Sequence, residues 1–66
     1  MAERVLVYTT NKIHISEMLL QYLSDNGIVA FTIDKRDSNY HFGDIEFYVI
    51  EEDVVKAKFL INKFEN

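Results

Sequence analysis

A chain of 66 residues makes one domain, residues 1–66, and a domain this short buries only about 60% of the surface its unfolded chain exposes, so few large apolar side chains can be spared from packing. The hydrophobic content of 48%, with five Phe and four Tyr, excludes a disordered chain, and the lack of cysteine excludes disulfide staples, thiolate metal sites and thiol redox chemistry. Net charge is −4, which repels a phosphate backbone and argues against nucleic acid as a partner.

Residues Arg4 to Thr9 are β-branched, apolar and aromatic in a run too short for a surface helix, and predict a first strand. Asn11 offers an acceptor for the free N–H groups of a helix start, and Ile15, Met18, Leu19, Tyr22 and Leu23 recur at helical spacing, which predicts an amphipathic helix over 12–26. Gly27 supplies the left-handed residue that ends it, with Ile28 placed to fold back onto the last turn as the apolar partner of a Schellman cap. A second strand is predicted over 28–33, its inward set Val29, Phe31 and Ile33.

Residues 34–44 are polar and read as a long hairpin connection to a third strand over 45–50, whose inward set is Ile45, Phe47 and Val49. Glu51, Glu52 and Asp53 bring negative charge, and a candidate cap, to the start of a last helix that buries Val54, Ala57, Leu60, Ile61 and Phe64. The order is β-α-β-β-α. A right-handed crossover makes the first and second strands parallel with the third between them, so the expected fold is an α+β, two-layer ferredoxin-like sandwich: a three-stranded antiparallel-type sheet in order 1-3-2, with two helices on one face.

This topology leaves the first strand with a free edge and the sheet with an uncovered face, predicted to carry Leu6, Tyr8, Ala30, Thr32, Glu46, Tyr48 and Ile50. So apolar a surface marks a contact, and a homodimer or a protein partner is expected through Val5, Leu6, Tyr8, Tyr48 and Ile50. The carboxyl ends of the parallel strands share one sheet edge. There Thr9, Thr10, Asn11 and Lys12 meet Lys35 and Arg36 beside a helix start, an arrangement suited to a phosphate, nucleotide or carboxylate.

Catalytic and metal chemistry find less support. His14 and His41 have no metal-ligand spacing, Ser16 and Ser38 have no activating context, and the Glu51–Asp53 carboxylates read as helix-start charge, so no catalytic residue, metal or cofactor is assigned. Tyr8 and Tyr48 invite comparison with RNA-stacking sheets, but the acidic, glycine-free strand 44–49 departs from that motif. No stretch approaches the roughly 20 apolar residues of a membrane span, and the first residues lack a leader pattern, so the expected location is cytoplasmic.

The run Leu20, Leu23, Asn26-Gly27-Ile28, followed by Phe47-Tyr48-Val49-Ile50-Glu51-Glu52-Asp53-Val54-Val55-Lys56-Ala57, resembles a family of short prokaryotic domains of unknown function labelled as signal transducing proteins. The resemblance covers nearly the whole chain and implies a ferredoxin-like fold similar to that of the nitrogen-regulatory P-II proteins. In those terms residues 34–43 occupy the place of the P-II regulatory loop, and a signalling role is what the likeness implies. The expected function is a small binding or regulatory module acting through protein contacts. The alternative is a sensor of a small anion.

Overall fold

A computed structural model describes residues 3–35 and 44–66. Strand β1 (Arg4–Thr10) leads into helix α1 (Ile13–Asp25), followed by β2 (Phe31–Asp34), β3 (Ile45–Ile50), a 3₁₀ turn (Glu51–Asp53) and helix α2 (Val54–Glu65). The three strands form one antiparallel-paired sheet in the order β1-β3-β2, as the sequence predicts. Arg36 and His41 lie outside the described residues, and with them most of the predicted hairpin connection.

β3 is the centre of the molecule. Its alternate residues Ile45, Phe47 and Val49 are buried against Leu19, Leu23 and Ile28 from the first half of the chain and Ala57, Leu60 and Ile61 from α2. Both predicted helical stripes thus meet over the predicted inner face of β3. The Glu51 N–H donates to the Glu3 carbonyl at 2.8 Å and the Lys35 N–H to the Asp44 carbonyl at 2.9 Å, which prolongs β3's pairing at both ends.

The helix–strand junction forms the expected cap. Gly27 has φ of 82°, the Ile28 N–H donates to the Leu23 carbonyl at 2.9 Å and the Gly27 N–H to that of Ser24 at 3.0 Å, the two bonds of a Schellman motif. Asn26 adds a third, its amide donating to the Tyr22 carbonyl at 2.8 Å. A Cβ at Gly27 would meet only the Lys56 Nζ, at 3.9 Å, so a substitution there costs through backbone conformation and not through collision. Gly27→Val is expected to lower stability by about 1–2 kcal/mol and Gly27→Asn by less, read as a shift in the urea midpoint; equal midpoints for the two would show that the left-handed conformation is not the cause.

The cap also corrects the second strand, which begins at Phe31 and not at Ile28. Folding back onto α1 puts Ile28 in the core, 1% exposed, and the period of two then directs Ala30 and Thr32 to that side. Val29 and Ile33 are 67% and 47% exposed, and Phe31 pairs with Tyr48 on the uncovered face. The predicted inward set of β2 is therefore its outward set. The helices pack on β1 and β3, which leaves Thr32 exposed although it stands opposite the buried Phe47.

A second correction concerns β1. Leu6 pairs with Tyr48 and Tyr8 with Phe47, so Val7 is an extra residue, a bulge that reverses the alternation. Val7 and Tyr8 both pack toward the core, and the Tyr8 ring meets Phe47 edge-on at 5.8 Å and 77°. Tyr8 is thus removed from the open face, where strict alternation had placed it.

Candidate functional site

The sheet face opposite the helices carries three rows of side chains set by register. Arg4 and Ile50 form the first, Leu6, Tyr48 and Phe31 the second, and Thr9, Glu46 and Ile33 the third. Leu6 is 45% exposed, and Phe31, Tyr48 and Ile50 are half-buried. On β2 the face is more apolar than predicted, because Phe31 and Ile33 replace Ala30 and Thr32, while on β1 Thr9 replaces Tyr8.

Charge on this face is locally engaged. The Arg4 guanidinium lies 4.0 Å from the centroid of the Phe31 ring, a cation–π contact across the width of the sheet. Glu46 accepts a hydrogen bond from the Tyr48 hydroxyl at 2.8 Å and an ion pair from the Lys35 ammonium at 3.2 Å. The Tyr48 bond first, and then Lys35, hold the Glu46 carboxyl below its ordinary range, while the same bond holds the Tyr48 proton more tightly than usual. Such fixed side chains present a set pattern to a partner at small entropic cost.

The second predicted region, at the carboxyl ends of β1 and β2, is assembled only in part. Thr10 and Asp34 both stand opposite Ile45, so the two strand ends do share one sheet edge. The Lys35 side chain, however, runs back to Glu46 on the open face. Asn11 does not cap α1. The cap residue is Lys12, without a side-chain hydrogen bond to the helix start, and the Thr10 hydroxyl oxygen accepts the Lys12 N–H at 3.2 Å. The Ser16 hydroxyl donates backward to the Ile13 carbonyl at 2.6 Å, and the first turn of α1 holds no acidic residue.

Thr10 and Lys12 do contribute to a concave feature. With Tyr8, Ile15, Phe64 and Glu65 they line a cleft of about 350 Å³ between the start of α1, the end of α2 and the core side of β1. The Tyr8 hydroxyl has a raised pKa, first from burial and then from the nearby Glu65 carboxylate. The Phe64 ring is set by Tyr22, 5.6 Å away. Sequence reading missed Glu65 in this role and placed Tyr8 elsewhere; helical spacing showed Phe64 only as a core residue.

The remaining candidates stay apart. Val5 stands opposite Val49 on the helix side, half-buried at the edge strand, while Thr9 stands opposite Glu46 on the open face. His14 is exposed on α1, and no group of three or more metal-ligating side chains occurs among the described residues. No helix among the described residues is long and apolar enough to cross a membrane. No family model matches the chain, and neither a curated protein nor a solved structure does.

Proposed function

We propose that this chain is a small binding module acting through protein contacts on its open sheet face, with a second copy as the first partner. The observation that carries the reading is the middle row, Leu6, Tyr48 and Phe31, flanked by Ile33 and Ile50: apolar side chains from all three strands on the one face that neither helix covers. Contiguous apolar patches of this kind are contact surfaces on small proteins. The strands point the same way for a second copy. Arg4 stands at one end of the face and the Lys35–Glu46 ion pair at the other, so two faces packed with reversed strand direction keep the two arginines apart and set each against a locally neutral end.

A regulatory role is what the likeness to the signal-transducing domains implies, and the reading includes no catalytic step. The test is mass in solution. Leu6→Glu combined with Ile33→Glu, both on exposed positions, is expected to convert a dimer to a monomer by light scattering without altering the far-ultraviolet circular dichroism. A wild-type chain that stays monomeric at high micromolar concentration, or a double variant of unchanged mass, would overturn it.

A second reading, a sensor of a small anion, is favoured by one observation. The start of α1 has no side-chain cap and no acidic residue in its first turn, so its N–H groups keep their affinity for negative charge beside Thr10 and Lys12. Thr9 and Asn11 adjoin that start in sequence, whereas Lys35 is committed to Glu46 and Arg36 lies outside the described residues. Amide shifts at residues 9–12 on titration with inorganic phosphate would support the sensor, and a flat titration would remove it.

A further inference from the structure

We propose that the cleft between the first turn of α1 and the last turn of α2 binds a small zwitterion with an apolar body, of the chemical class of a free amino acid with an apolar side chain. The proposal is independent of the open-face reading, since the cleft lies on the helix side of the sheet. Its volume, about 350 Å³, falls at the small-metabolite end of the roughly 300–1,000 Å³ range of ligand sites.

Three features of the lining specify the ligand. Its floor is apolar and set in place, because Tyr8 is held against Phe47 and Phe64 against Tyr22, with the half-buried Ile15 of α1 completing the lining. Its walls carry opposite charge, Lys12 from the α1 side and Glu65 from the α2 side. Neither side chain forms an ion pair among the described residues, so both charges are available to a guest.

The backbone reinforces the same polarity. Lys12 stands at the positive end of the α1 dipole and Glu65 at the negative end of the α2 dipole, so the field across the cleft runs from one wall to the other. Glu65 opposes helix stability there, because the last turn of a helix favours cations, such as the Lys63 that α2 also carries. A free anion would be attracted by one wall and repelled by the other, and so would a free cation. A molecule bearing both charges a few ångströms apart satisfies both, its carboxylate toward Lys12 and its ammonium toward Glu65.

Hydroxyls complete the recognition. Thr10 uses its oxygen to accept the Lys12 N–H, which leaves its own proton for the guest carboxylate. The Tyr8 hydroxyl has no hydrogen-bond partner among the described residues and retains its proton at neutral pH, which makes it a second donor.

The test is an amide-shift titration of the full chain with L-phenylalanine as the probe. Saturable shifts at Tyr8, Thr10, Lys12, Ile15, Phe64 and Glu65 are expected, with a dissociation constant on the order of millimolar, as suits a ligand of so few atoms. N-acetyl-L-phenylalanine lacks the cation and L-phenylalaninamide the carboxylate; each is expected to bind about tenfold more weakly than the parent. Glu65→Gln and Lys12→Gln alter exposed side chains and leave the fold intact, and each should weaken L-phenylalanine by about the same factor. In Glu65→Gln the acetylated probe should bind as well as before or better. No saturation with L-phenylalanine would overturn the proposal. So would an acetylated probe as tight as the parent, an unchanged affinity in Glu65→Gln, or inorganic phosphate reproducing the full shift pattern.

Discussion

Phe47→Ala is expected to leave a large fraction of the chain unfolded at room temperature. Phe47 is 0% exposed on the central strand, where it meets the Tyr8 ring and stands between Tyr8 and Thr32 in register. Truncating a buried Phe costs about 3–5 kcal/mol, through lost transfer energy and the cavity left behind. A domain of 66 residues has only about 3–10 kcal/mol of stability in total, so this one change consumes much or all of it. Phe47→Leu keeps most of the volume and should cost about 1–2 kcal/mol. Phe59 is the internal control: it lies 59% exposed on α2, and Phe59→Ala should change stability by no more than about 0.5 kcal/mol. Urea unfolding followed by circular dichroism separates the three, and a Phe47→Ala midpoint close to wild type would contradict the core described above.

The second large effect is a contrast between neighbours on β1. Tyr8→Glu is expected to destabilise the fold by about 2 kcal/mol or more, since it removes an aromatic pair and a partly buried ring. It also sets a second carboxylate beside Glu65. Leu6→Glu, two residues earlier, should change monomer stability by less than about 0.5 kcal/mol, because the Leu6 side chain is 45% exposed on the uncovered face. Had alternation continued unbroken from Leu6, the two substitutions would behave alike. Denaturation at a concentration low enough to keep both variants monomeric reads the difference, and equal midpoints would place Tyr8 on the open face after all. Because the cost of Tyr8→Glu falls on folding, a loss of mass in that variant says little about the interface; Leu6 and Ile33 are the informative positions.

The Tyr8 contrast shows where reading the chain alone reaches its limit. The inward residues of β3 and the buried side of α2 follow from period and are observed, and so does the stripe of α1 except Met18, which lies 56% exposed at the margin of the helix face that packs. The strand order follows from chain connectivity and handedness. Gly27 and Ile28 announce their own cap, since both bonds of a Schellman motif close within the last helical turn. The orientation of β2 was present in that same cap but easily inverted, because a set of Val29, Phe31 and Ile33 has the same period whichever side it faces. The position of Ile28 decides the parity, and only its burial shows which alternate set is inward.

The bulge at Val7 had no signal in the strand that carries it. An extra residue exists only relative to a partner, and β3 lies far along the chain from β1. The same holds for the two charge relationships that define the candidate sites. Lys35 is sequence-adjacent to Arg36, which suggests a shared anion site, yet Glu46 on the neighbouring strand draws it to the open face at 3.2 Å. Lys12 and Glu65 lie near opposite ends of the chain and come to one cleft because α1 and α2 pack on the same side of the sheet.

The sequence by itself determined the elements, their order and the core residues of β3 and α2, because these depend on local propensity, on period and on how short connections can cross. Only the tertiary structure decided which way β2 faces, where β1 breaks its alternation and which charges share a surface. Those outcomes depend on register between distant segments, and a shift of one residue there exchanges one face of a strand for the other.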